Sequence, residues 1–211
     1  MTEEIDNFRQ NPQQRRSEDT VEYIFEATAQ ILQDTDTDEF TTNHIARRAG
    51  FSIGTLYRYF PNKQAIMRGM AKREIGRQER RVVDALKASS DRSATDLIRL
   101  VARSALHPLG GRNYARRHML RAMVTDLDLV TMIYTVQRRL FDILGDMLVE
   151  LDPTRYQKLP ETRMVLATGA FAGAVRLTVL NAPEQLETEE FEREFVAMIE
   201  TFFLKPPCAP G

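Results

Sequence analysis

The stretch that decides the fold of this 211-residue chain runs from residue 42 to residue 60 and reads TNHIARRAGFSIGTLYRYF. Two short runs with helical spacing flank Gly50. A tight turn between two helices needs a residue that tolerates a positive φ, and glycine does so. Ala46 and Ala49 have small side chains that let the two helices cross closely. The stretch therefore predicts a helix-turn-helix.

The apolar residues of this stretch predict which face of the second helix is exposed. Ile45, Phe51, Leu56 and Phe60 can pack against a preceding helix. The polar side chains then lie at the start and on the outer face of the second helix, and they are Ser52, Thr55, Tyr57, Arg58 and Tyr59. A helix of this kind is the one that enters the major groove of DNA.

Helical spacing continues on both sides of the motif. A first helix is predicted from about Ser17, as its N-cap, to Leu32, because apolar residues recur three and four positions apart. A long fourth helix is predicted from Lys63 to about residue 88. Later helices are predicted at about 94–109, 112–125, 128–151, 161–181 and 188–204. No alternating strand pattern of useful length is present, so the fold class is predicted as all-α.

Four parts follow along the chain. Residues 1–14 are polar and aperiodic and predict a disordered tail. Residues 15–62 hold the predicted helix-turn-helix domain, and the long helix joins it to a larger helical regulatory and dimerisation domain at 63–204. The prolines of residues 205–211 predict a flexible tail.

Charge is unevenly distributed, although the formal net charge is only −1. The 34 positions from Phe40 to Arg73 contain no Asp or Glu, where about five would be expected at the average frequency of the chain. The same positions carry Arg47, Arg48, Arg58, Lys63, Arg68, Lys72 and Arg73. The small net charge therefore conceals one basic segment, which coincides with the motif and is predicted to attract anions.

Composition excludes several other functions. Cys208 is the only cysteine, which excludes an intrachain disulfide and a cysteine-based zinc site, and it is expected to be an inert thiol. The three histidines lack metal-ligand spacing. We find no glycine-rich phosphate loop and no nucleophile motif, so neither enzyme activity nor a cofactor is predicted. Without a run of about 18 apolar residues, no membrane association is predicted and the expected location is cytoplasmic.

Residues from about 16 to 70 resemble the DNA-binding domain of the TetR family of bacterial transcriptional regulators. The run TTNHIARRAGFSIGTLYRYFPNKQAIM, residues 41–67, carries the resemblance. It has the family's Thr, Ile-Ala, Ala-Gly, Ser, Gly-Thr-Leu-Tyr, Tyr-Phe and following Lys. The resemblance covers about a quarter of the chain, and it implies a transcriptional regulator that binds double-stranded DNA.

The resemblance also implies phosphate and groove contacts. Thr42 and Lys63 would each hold a phosphate, at the starts of the second and fourth helices. Ser52, Gly54 and Thr55 would lie against the groove, with Gly54 permitting a close approach.

Other positions would contact bases or the outer backbone. Tyr57 and Tyr59 would reach the backbone or a thymine methyl group, and the fork of Arg58 fits guanine O6 and N7. Ile53 stands where a basic residue or proline is frequent in the family, so a phosphate contact is lost or an apolar contact with thymine replaces it. Arg47 belongs to the predicted DNA-binding set, although an ordinary solvated face is the alternative.

The later helices predict a homodimer. Helix 161–181 is rich in small residues, and helix 188–204 carries Phe191, Phe195, Met198, Phe202 and Phe203. A small-faced helix beside an aromatic-striped helix suits a two-fold interface of four helices, although both could also pack within one subunit. One recognition helix reads few base pairs, whereas a dimer reads two half-sites of an inverted repeat.

A small-molecule effector is the last predicted partner. Several methionines suggest an adaptable apolar interior, although ordinary core packing explains them equally well. Tyr114, Arg117, His118 and Arg121 are weak candidates for ligand contacts, and a solvated surface is the alternative. The predicted function is a repressor released from a palindromic operator by an effector. An activator, an effector-independent DNA binder and a helical adaptor are the alternatives.

Overall fold

A computed structural model describes residues 12–34, 40–88, 92–106 and 125–206. These residues form eight α-helices, which confirms the predicted fold class: α1 (Pro12–Asp34), α2 (Thr42–Arg48), α3 (Ile53–Tyr59), α4 (Lys63–Lys87), α5 (Ala94–Leu106), α6 (Leu127–Leu151), α7 (Glu161–Asn181) and α8 (Glu189–Phe203). A 3-10 helix spans Pro183–Glu187, and an isolated antiparallel bridge joins Tyr156 to Leu204.

The first helix begins earlier than predicted. It starts at Pro12, and Ser17 lies inside it rather than at its N-cap. Proline is favoured in the first turn of a helix because its fixed φ suits the helix and its missing N–H would have no partner there. Residues 12–14, which were predicted as part of a disordered tail, are therefore helical, and residues 1–11 lie outside the described ranges.

The first compact unit of the described chain ends at Met70. Its buried residues come from the first four helices: Ile24, Phe25, Ala27, Thr28, Ile31, Leu32, Ile45, Ala46, Leu56, Ile66, Met67 and Met70. The unit extends past the boundary predicted after residue 62, because the first turns of α4 supply part of this core.

An aromatic pair closes the core of the first unit. The rings of Phe25 and Phe60 lie 5.5 Å apart between centroids. Gly69 of α4 faces this pair, and a Cβ placed there would lie 2.8 Å from Phe25 Cζ and 3.3 Å from Phe60 Cε1. The glycine is therefore required by packing, although α4 would gain helix propensity from almost any other residue.

The second unit begins at Ala71 and has its own core. Phe141 contacts both Phe171 and Phe203 with nearly perpendicular rings, at centroid distances of 5.3 and 5.7 Å. Phe195 lies 4.8 Å from Phe171, so two aromatic residues of α8 are buried inside their own subunit. Phe191, Met198 and Phe202 are only half-buried. The aromatic part of the predicted dimer interface is therefore largely used within the subunit.

Several predictions fall on residues outside the described ranges. These are the helix at about 112–125, the ligand candidates Tyr114, Arg117, His118 and Arg121, and Cys208.

We expect Gly69→Ala to destabilise the first unit by about 1–2 kcal/mol, because the added methyl overpacks the aromatic pair by more than the gain in helix propensity. Gly76→Ala, on the same helix, is the matched control, since its Cβ would meet only Arg80 Nη1 at an ordinary 3.7 Å. Urea denaturation followed by circular dichroism measures both changes. Equal stabilisation by both alanines would contradict the assigned role of Gly69.

Candidate nucleic-acid interface

The turn between α2 and α3 has the geometry that the sequence predicts. Gly50 has a φ of +76°, the one positive φ among the described residues. The N–H of Gly50 donates to Arg47 O at 3.2 Å, and the N–H of Phe51 donates to Ala46 O at 2.9 Å. These bonds end α2 and reverse the chain within four residues. The turn therefore fixes the direction in which α3 leaves.

A serine caps α3 at its start. Ser52 Oγ accepts a hydrogen bond from the Thr55 N–H at 3.1 Å, and its hydroxyl lies 2.9 Å from Thr55 Oγ1. Capping satisfies an N–H that would otherwise have no partner within the helix. The two hydroxyls predicted to lie against the groove are thus held together at one end of α3.

Tyr57 stands on the outer face of α3. Its side chain is 51% exposed, whereas the neighbouring Leu56 is fully buried. Its hydroxyl lies 3.2 Å from Thr42 Oγ1, at the first residue of α2. Two predicted DNA-binding residues on separate helices therefore meet at the surface. Thr42 itself is not the cap of α2, because Thr41 Oγ1 accepts the hydrogen bond from the His44 N–H.

Tyr59 differs from Tyr57 in its surroundings. Hydrogen bonds with Ser17 and then Thr20 of α1 hold the pKa of Tyr59 below its usual value, and Arg58 acts in the same direction. Its ring also lies 5.4 Å from the guanidinium carbon of Arg58. In this structure Tyr59 therefore lies beside Ser17 of α1 and beside Arg58, whereas the predicted contact with DNA stays a prediction.

Lys63 lies at the start of α4 with its side chain exposed. Its Nζ donates to Phe40 O at 3.4 Å and lies 5.4 Å from the centroid of the Phe40 ring. The cap of α4 is Asn62, whose Oδ1 accepts from the Ala65 N–H at 2.8 Å. The two contacts of Lys63 with Phe40 hold the lysine beside the N-terminus of α4, where the helix dipole also favours an anion.

Positive charge on the first unit is not neutralised at three of the predicted positions. Within the described residues, Arg47, Arg58 and Lys63 form no ion pair, and all three side chains are exposed. Arg48 instead donates from Nε to Gln30 Oε1 at 3.2 Å. Exposed positive charges on a segment without Asp or Glu attract the phosphate backbone of a nucleic acid.

Gly54 and Ile53 lie on the exposed side of the first turn of α3. Ile53 is 36% exposed, and Gly54 is exposed as well. A Cβ on Gly54 would meet only Ser52 Oγ, at 3.8 Å. The fold itself therefore does not require a glycine here, and the missing side chain leaves room for another molecule to approach the backbone.

Sequence reasoning missed three residues that position this surface. The first two are N-caps, Thr41 of α2 and Asn62 of α4. The third is Gln30, which accepts the hydrogen bond from Arg48. The two caps had a signal, since Thr or Asn directly before a helix is a typical N-cap. Gln30 had none, because nothing in the sequence indicates that it lies beside Arg48.

No cluster of metal-ligating side chains is found among the described residues.

Residues 24–70 match the sequence model of a family described as bacterial regulatory proteins, tetR family. The match ends at the last residue of the first compact unit and contains both helices of the motif. The resemblance to the TetR family is thereby confirmed. No curated protein matches the sequence significantly.

Solved structures of regulators share the fold over most of the chain. FadR from Bacillus subtilis, solved in complex with stearoyl-CoA, has 18% identity and a TM-score of 0.59, covering 86% of this chain and 97% of that one. FadR from Bacillus halodurans has 17% identity and a TM-score of 0.58, covering 92% and 96%. The TetR-family repressor AlkX from Dietzia has 17% identity and a TM-score of 0.56, covering 86% and 94%.

We expect Gly54→Ala to weaken DNA binding by about tenfold, because a methyl group at a close contact overpacks it by roughly 1–3 kcal/mol. The fold should be unchanged or up to about 1 kcal/mol more stable, since alanine favours the helix. Fluorescence anisotropy on a duplex that the wild-type chain selects measures the affinity. Unchanged affinity would show that α3 does not approach DNA at this residue.

A charge variant separates a phosphate contact at Lys63 from a close groove contact at Gly54. Lys63→Ala should reduce the slope of log affinity against log salt by about 0.9 per lost phosphate contact, whereas Gly54→Ala should leave that slope unchanged. Lys87→Ala removes an exposed charge from the other end of α4 and serves as the control.

Proposed function

We propose that this chain, which carries the N-terminal DNA-binding domain of TetR-family transcriptional regulators, is a homodimeric repressor that a small-molecule effector releases from a palindromic operator. The observation that carries the proposal is the outer face of α3, where Tyr57 and Arg58 are exposed beside a capped helix start. AlkX, which is similar in fold, is described as a repressor, and we extend that role to this chain. Such a regulator acts in the cytoplasm.

The chemistry of α3 suits the reading of base edges. The guanidinium of Arg58 can donate two parallel hydrogen bonds to guanine, and the exposed methyl groups of Ile53 can contact thymine. Thr42 and Lys63 would bind phosphates on either side and set the register of the helix, with Ser52 and Thr55 against the groove. One seven-residue helix reads only a few base pairs, so useful specificity requires a second copy.

The outer face of α7 supports the dimer. Leu166 and Leu177 are 62% and 61% exposed, and Leu180 at 39% continues the same stripe. Between them, a Cβ on Gly169 or Gly173 would meet no atom within 4 Å, so another backbone can approach closely. Exposed leucines around a small-residue centre are typical of a face that pairs with a copy of itself.

The same helix satisfies the length and composition of a membrane span. It has a mean hydropathy of 1.4, and 22% of its most apolar window is buried. Its inner face, however, packs Met164, Ala167 and Phe171 into the core of the second unit. A partner subunit would cover the outer face of α7 while the inner face stays packed in the core. We therefore assign the outer face to dimerisation.

Release by an effector would act through α4. This helix begins in the first unit with Lys63 and continues into the second, where Val82, Val83 and Leu86 join the core. A ligand that binds one arrangement of the second unit more tightly would shift α4 and with it the spacing of the two α3 helices. The affinity for DNA would then fall by the differential affinity of the ligand for the two states.

We expect Leu166→Glu combined with Leu177→Glu to convert the dimer into a monomer, because four buried carboxylates would face each other without partners. Sedimentation equilibrium measures the mass. The exposed Leu127 of α6, at 79%, offers a matched control, and Leu127→Glu should leave the mass unchanged. A wild-type monomer would refute the proposed interface.

Selection from a random pool of DNA duplexes tests the function itself. We expect the wild-type chain to enrich an inverted repeat whose half-sites are centred about 34–36 Å apart, one helical turn or a multiple of it. The monomeric variant should lose this enrichment, since each half-site alone binds weakly. Enrichment of an asymmetric site, or of no sequence, would exclude an operator read by two copies of α3.

A further inference from the structure

The second unit contains a cavity of about 100 Å³ between α4, α5, α6 and α7. Hydrophobic side chains form ten of its fourteen lining residues, among them Ile75, Val101 and Val179. An apolar cavity of about 150 Å³ in another protein stays free of water and binds benzene. The mostly apolar walls of this cavity therefore suit a small apolar molecule.

Two of the four polar residues on the wall, Glu79 and Ser104, are already engaged. Glu79 accepts a hydrogen bond from Arg139 at 2.9 Å and is paired with it, and the Ser104 hydroxyl donates to Val101 O at 2.6 Å. An anionic ligand would lie near the Glu79 carboxylate, and a cation would find that carboxylate already paired. Since an unpaired buried charge is costly, the cavity favours an uncharged occupant.

Gln137 has a buried polar atom that is not engaged. Its side chain lines the cavity and is 7% exposed, and its Oε1 is the one fully buried side-chain oxygen or nitrogen without a hydrogen-bond partner in the described part of the chain. The other buried polar residues, Thr28 and Thr168, each donate to the carbonyl four residues earlier. A buried amide oxygen without a partner costs free energy that a donor from a ligand would recover.

We propose that this cavity binds a small, uncharged, mostly apolar molecule with a hydroxyl group, and that the hydroxyl donates to Gln137 Oε1. A hydroxyl fits better than a group that only accepts, because it can donate to the amide oxygen and can also accept if the amide rotates. The inference rests on the proposed function only in naming this molecule as the effector.

Two isomers test the proposal on the full chain. 1-Pentanol and methyl butyl ether share one molecular formula, with about six non-hydrogen atoms each. Only the alcohol can donate a hydrogen bond. We expect the wild-type chain to bind 1-pentanol about five- to tenfold more tightly than the ether, the usual effect of one added hydrogen bond. Ligand-observed NMR titration measures both affinities without DNA.

Variants assign the preference to one side chain. Gln137→Met should bind the two isomers equally and should unfold at the same or a higher temperature, because an apolar group of similar shape replaces the unpaired amide. Gln78→Met, on the same cavity wall, should keep the preference for the alcohol. Equal binding of the isomers by the wild type, binding of neither, or a preference that survives in Gln137→Met would overturn the proposal. None of these results bears on DNA binding, which the duplex selection tests separately.

Discussion

The burial of one side chain, Leu56, is the constraint on which the proposed DNA-binding surface depends. It is the only buried residue of α3, which has seven residues and is too short to be stable alone. The position of α3 is therefore set by Leu56 in the core, by the turn at Gly50 and by the Ser52 cap. The side chains of Tyr57 and Arg58 are not needed to hold α3 in place, and both remain on the surface.

The helix α4 links this surface to the rest of the chain. Its first turns need small and apolar residues, because Ile66 and Met70 complete the core of the first unit and Gly69 lies under the aromatic pair. Its later turns face a different core and the wall of the cavity. The helix α4 therefore contributes residues to the cores of both units, and the proposed release by an effector would act through it.

The sequence predicted the motif more accurately than its surroundings. Gly50, Ser52 and Leu56 were predicted correctly because local rules for turns, caps and helical period determine them. The hydrogen bond of Arg48 to Gln30 and the position of Tyr59 beside α1 depend on tertiary contacts, and they leave no local signal. Gln137 did have a signal that was not used. It lies in the apolar phase of α6, four residues before Phe141 and three before Leu140, where a polar residue interrupts an otherwise buried stripe.

The same argument explains why the sequence could not decide between the two faces of α7. Its apolar residues are distributed nearly all round, so its period does not show which side is inside. The structure resolves the inner side, because Phe171 packs against Phe141 and Phe195. What is left is an outer stripe centred on Gly169 and Gly173, on which water would contact four or more apolar residues. In the proposed dimer, a second copy would cover this stripe and would also supply the second recognition helix.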